Sequence, residues 1–128
     1  MIRTMLLVGI GGFFGTCGRF AMYKLCDLFW HGPYPLGTFT VNLIGCLLFG
    51  IFSGIAEKGN WLSPTQSAML ITGFCGGFTT FSTFAGDICN LGTKGEWGIS
   101  AAYLALSVIL GIAMVWIGRA IAQSIRFS

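Results

Sequence analysis

Charged residues are so sparse along this chain that they act as punctuation. They separate four apolar stretches, roughly 4–26, 36–56, 64–90 and 97–118, joined by short connections. A helix needs about 20 predominantly apolar residues to cross a bilayer, and each stretch meets that length. The pattern predicts an all-α membrane protein in which residues 1–128 form one domain of four transmembrane helices. The third stretch is unusual. It carries no charge from Gly59 to Gly86, yet its middle reads Gly73-Phe74-Cys75-Gly76-Gly77-Phe78-Thr79-Thr80-Phe81-Ser82-Thr83-Phe84. Adjacent glycines weaken a helix, and the hydroxyls are wrong for a lipid-facing span. Polar, breakable backbone at membrane depth is tolerated only where protein buries it or where it lines a water-filled cavity. A break is therefore expected around Gly76-Gly77, in a chain that moves something across a membrane.

Composition sharpens this reading. Mean hydropathy is +0.81 and 9% of residues are charged, too apolar for an ordinary soluble domain. The run after Arg3 is long, rich in Gly and Phe, and lacks a small-residue cleavage site, so it reads as the first span rather than a signal peptide. Cys17, Cys26, Cys46, Cys75 and Cys89 are odd in number, without metal-site spacing, and read as small apolar packing residues. The seven basic residues are scattered singly, which argues against nucleic acid.

Four spans place both termini on one side, together with Arg3, Lys58, Arg119 and Arg126. The other side holds Lys24 and Lys94, plus Arg19 if it reaches that interface. The Lys/Arg bias that orients membrane proteins is therefore weak. Such a chain could insert both ways, giving an antiparallel homodimer with a two-fold axis in the membrane plane; ordinary cytoplasmic termini are the alternative. The two halves show no convincing repeat, so inverted symmetry of the kind transporters use would require a second copy.

Polar residues within the spans are the candidate site. Gly11, Gly15 and Gly18, like Cys46, Gly50 and Gly54, read as close-packing faces. Arg19 inside an apolar span must snorkel, pair or face water; it could attract an anion to a vestibule or anchor span 1 at the interface. Thr38 and Asn42 are four apart on one face, and the Asn42 amide either ties helices together or donates to a passing anion. Thr79, Thr83 and Asp87 follow at four-residue spacing, a hydroxyl stripe ending in a carboxylate, with Thr80 alongside. Phe81 and Phe84 carry electropositive ring edges that can partner a dehydrated anion; plain aromatic packing is the competing account. Ser100, Tyr103 and Ser107 recur along span 4. Carbonyls freed near Gly76-Gly77 could hold a cation.

These residues together resemble the Fluc (CrcB) family of bacterial fluoride channels. The resemblance lies in Gly12-x-x-Gly15-x-x-x-Arg19, Gly37-Thr38-x-x-Val41-Asn42 and Gly73-x-x-Gly76-Gly77-x-Thr79-Thr80-Phe81-Ser82-Thr83-Phe84. It implies a dual-topology antiparallel homodimer in the bacterial inner membrane, with two pores along the subunit interface and passive, selective export of fluoride. Phe81 and Phe84 then resemble the aromatic box residues, and Asn42 the pore amide. Thr38 joins that pathway, Thr80, Ser82 and Thr83 the hydroxyl track, Tyr103 the span 4 pore tyrosine, and Arg19 the vestibule cation. A structural sodium ion at the dimer centre maps onto the carbonyls of Gly76 and Thr79. Fluoride is small and strongly hydrated, so a selective path must replace its water with donors that do not hold it too tightly.

Three other classes fit less well. A proton-coupled multidrug exporter needs a carboxylate deep in a span, and Asp87 lies toward the end of span 3. A non-conducting assembly subunit would not need a polar stripe on a broken span. An enzyme is disfavoured because His31, the only histidine, sits in the span 1–2 connection and no nucleophile–base or metal constellation is visible.

Overall fold

The computed structural model describes residues 1–59 and 61–125. Arg126, counted above with the terminal charges, lies outside the described residues. Helix α1 spans Ile2–Phe29 and α2 spans Leu36–Glu57. The third span is composite: α3 (Pro64–Ser67), a π-helical segment (Ala68–Cys75), α4 (Gly76–Phe78) and, after a break, α5 (Ser82–Thr93). Helix α6 closes the chain over Trp97–Ser124. Four helical units, Ile2–Phe29, Leu36–Glu57, Pro64–Thr93 and Trp97–Ser124, are long and apolar enough to cross a membrane. The protein is an all-α, multi-pass membrane protein.

Span 3 begins with a capping box. Gln66 N–H donates to Ser63 Oγ at 3.1 Å and Ser63 N–H donates to Gln66 Oε1 at 3.0 Å, with Pro64 in the first turn. Two of the donors that every helix start leaves unpaired are satisfied this way. The span then presses against α1, while α2 packs chiefly on α6.

Glycine sets both contacts. A β-carbon at Gly15 would collide with the carbonyl oxygen of Phe74, and one at Gly77 would stand 2.6 Å from the carbonyl oxygen of Gly12. On the other side, side chains at Gly50 or Gly118 would strike the backbone of α6 or α2. Small residues let the backbones touch, which is how helices associate where lipid removes the hydrophobic drive. At the ends of α2 and α6, Arg119 makes a two-pronged pair with Glu57, at 2.7 and 2.8 Å.

The break does not fall at Gly76-Gly77. Both glycines are helical, and the chain leaves the helix at Thr79–Phe81, with Thr79 extended at φ −87°, ψ 163°. Gly77 serves the α1 contact instead, and the residues that open the helix are those whose backbone finds a partner elsewhere.

Candidate functional site

That partner is Asn42 on α2. Its Nδ2 donates to the Thr80 carbonyl at 3.1 Å, and its Oδ1 accepts the Thr80 N–H at 2.9 Å. One amide side chain thus replaces both backbone bonds that residue 80 would make in a continuous helix. Since a primary amide has two N–H donors, the second is left without a partner among the described residues. Of the two readings the sequence left open for Asn42, the tie between helices is directly visible.

Two more side chains finish the break. Arg19 reaches inward from α1, and its Nε donates to the Gly77 carbonyl at 3.0 Å. Its guanidinium carbon lies 5.9 Å from the Tyr23 ring centre. The arginine therefore supplies a charged donor at the C-terminal end of a half-helix, where carbonyls lack partners and the dipole is negative. Neither of the two roles considered for it from sequence describes this contact. On the far side, Thr80 Oγ1 accepts from Thr83 N–H at 3.3 Å and caps the start of α5.

Thr79 is separated from the expected hydroxyl stripe. The break runs over Thr79–Phe81, so Thr79 no longer shares a helix with Thr83 and Asp87. Its Oγ1 donates back to the Cys75 carbonyl at 2.9 Å. Because Thr80 gives its N–H to Asn42, the Gly76 carbonyl loses the donor that a regular helix provides four residues on. Gly76 is exposed and faces the same cavity as Thr79.

That cavity is an open, mostly apolar groove of about 670 Å³ between α2, span 3 and α6. Asn42, Thr79, Thr80, Phe81, Phe84 and Ser107 contribute to its wall. Phe81 is 79% exposed, an unusual state for a ring in the middle of a polar segment, whereas Phe84 is 8% exposed. Their ring centres lie 5.9 Å apart, tilted by 49°. Phe84 meets Tyr103 at 5.0 Å, and the buried Tyr103 hydroxyl donates to Asp87 Oδ2 at 3.1 Å. Thr38 is buried beside that hydroxyl. Ser82 is exposed and Thr83 half-buried at the start of α5.

Ser107 was legible only as one of a row of span 4 hydroxyls. In the fold its Oγ is fully buried and has no hydrogen-bond partner among the described residues, while the residue lines the groove. Spacing from Tyr103 hinted at it; what singles it out is the unmet hydrogen bond. The site as a whole offers hydroxyl and amide donors, ring edges and freed carbonyls at a helix break, and no nucleophile set against a base.

Comparison with known proteins places this arrangement. Residues 6–119 match the family described as CrcB-like protein, Camphor Resistance (CrcB). A protein of Methylobacillus flagellatus named fluoride-specific ion channel FluC is 42% identical over 117 residues, covering 89% of this chain and 90% of its own length. Proteins of the same name from Nitratidesulfovibrio vulgaris and Flavobacterium psychrophilum are 38% and 36% identical, covering 91% and 97% of this chain and 94% and 100% of theirs. The chain belongs to the CrcB family.

Proposed function

We propose that this CrcB-family chain is a passive, fluoride-selective channel of the bacterial inner membrane, exporting fluoride without any chemical reaction. The observation that carries this reading is the helix break at Thr79–Phe81, set among donors and aromatic edges on an open groove. A fluoride ion leaving water needs several compact hydrogen-bond donors. Thr38, Thr80, Ser82, Thr83 and the second N–H of Asn42 supply them, Tyr103 packs its ring on Phe84 while its O–H is held by Asp87, and the edges of Phe81 and Phe84 add positive potential without fixed charge. Arg19 shapes the path by holding the Gly77 carbonyl and adds a cation near the break.

The groove is open on one side and leaves Phe81 uncovered. A second copy of the chain, inserted in the opposite orientation, would close it and give two symmetry-related paths per dimer. The weak bias of basic residues across the membrane supports such dual insertion. Carbonyls of Gly76 and Thr79 from both copies would then converge. Their chemistry suits a hard monovalent cation such as sodium, which when bound would neutralise the carbonyl dipoles of two facing helix ends.

The test is ion efflux from liposomes holding the purified protein. Valinomycin and a potassium gradient would supply the driving force, with a fluoride electrode as readout and chloride as control. Rapid fluoride efflux without chloride efflux is expected. A folded, reconstituted protein that releases no fluoride would overturn the proposal.

A further inference from the structure

A second cavity, about 320 Å³ in volume, lies where α1 ends and α2 begins. Tyr23, Asp27, Trp30, Tyr34, Gly37 and Thr38 are among its lining residues. Tyr23 and Tyr34, two of these residues, each carry a phenol oxygen. Both oxygens are fully buried, and neither has a hydrogen-bond partner among the described residues. A buried hydroxyl left unmet destabilises a fold, and here two occur on residues that line one cavity.

The tyrosines are firmly placed. Pro33 and Pro35 flank Tyr34 and restrict its backbone. Its carbonyl accepts the Leu36 N–H at 2.8 Å and the Trp30 indole Nε1–H at 2.9 Å. Tyr23 lies against Gly37, where a β-carbon would stand 3.1 Å from the ring. This gives the Gly37-Thr38 pair a physical role: the glycine admits Tyr23, and the threonine faces both the cavity and Tyr103.

A chain of rings joins this cavity to the break. Tyr34 meets Tyr103 edge-on at 5.4 Å and 83°, Tyr103 meets Phe84 at 5.0 Å, and Phe84 meets Phe81 at 5.9 Å. The ends of α1 and α5 and the starts of α2 and α6 share one membrane face, so this series runs from that face to mid-span. Burial raises the pKa of Tyr34 above the ordinary phenol value, which keeps its O–H available as a donor.

We propose that Tyr34, with Tyr23 beside it, is the outer station of the ion path on this face. An entering anion would exchange water for these two hydroxyls before passing Thr38 and Tyr103 to the rings at the break. Asp27 stands on the same wall and Asp87 farther in, so the hydroxyl donors, rather than net charge, receive the ion. This inference rests on the channel reading above.

Tyr34→Phe and Tyr23→Phe each remove one oxygen and keep the ring. Fluoride efflux from liposomes and the melting temperature in detergent should be measured for both variants and the unaltered chain. Tyr34→Phe is expected to slow efflux about tenfold, the effect of losing one good hydrogen bond to the ion, with an unchanged or higher melting temperature. Tyr23→Phe should slow it less. Efflux within about twofold of the unaltered chain for Tyr34→Phe would overturn the inference, since that corresponds to well under one hydrogen bond. A slower efflux accompanied by a lower melting temperature would also overturn it, by assigning the hydroxyl to the fold. If the unaltered chain itself releases no fluoride, the channel reading fails first, and the two failures are distinguishable.

Discussion

Span 3 has two sides that obey opposite rules. Against α1 it is filled: Gly11, Gly15, Gly73 and Gly77 bring backbone onto backbone, and any side chain there would strike a main-chain atom. Toward α2 and α6 it is open, with a groove, an exposed phenylalanine and, across on α6, a serine hydroxyl without a partner among the described residues. The same helix is thus clamped on one face and left unsatisfied on the other. Rigid support lets a polar, unwound segment hold its shape without sealing the surface that an ion would use.

The contrast is broken most completely from the filled side. Gly15→Val would push two methyl groups toward the Phe74 carbonyl, which cannot yield without moving the span. Overpacking of this kind costs about 1–3 kcal/mol or more. Loss of monodisperse protein in gel filtration is expected, and a well-folded variant would show the interface to be softer than the geometry indicates.

On the open side the expected result reverses. Phe81→Ile and Phe84→Ile should nearly abolish fluoride efflux, because an aliphatic side chain has no electropositive edge. Phe81→Ile should fold normally, since that ring is 79% exposed. Wild-type efflux from both variants would remove the ring-edge account.

Asn42→Asp tests the joint between the sides. The substitution puts a carboxylate oxygen opposite the Thr80 carbonyl where Nδ2 now donates. Both efflux and melting temperature should fall, the latter by a loss of about 1–3 kcal/mol, the penalty for an unmet buried hydrogen bond. A variant that lost efflux with undiminished stability would mean that the amide acts on the ion more than on the break.

The smallest effect is expected away from both faces. Glu57→Gln weakens the pair with Arg119, whose side chains are 50% and 35% exposed. Exposed ion pairs contribute little because water screens them, so efflux should be unchanged and stability barely altered. A large drop in efflux would tie the ends of α2 and α6 to the path.

Much of the site could be read along the chain. Asn42, Thr80, Phe81, Phe84 and Tyr103 stood out because polar or aromatic groups at those depths need partners, and the fold brings all of them to the break or beside it. Arg19 also stood out, but not its contact, since its partner is a main-chain carbonyl 58 residues away. Ser107 and Tyr34 were less visible. An unmet hydroxyl is defined by what surrounds it, and spacing along one helix carries no record of that.

The number and placement of the spans followed from the sequence alone. Hydropathy is a local sum, and a run of about 20 apolar residues has few other stable ends in water or lipid. The position of the helix break was decided by the tertiary structure. Local propensity pointed to Gly76-Gly77, but glycine only lowers the cost of leaving a helix. The helix opens at Thr79–Phe81 because Asn42, 38 residues earlier, offers Thr80 both a donor and an acceptor. In a membrane, backbone can leave a helix only where such a replacement is already in place.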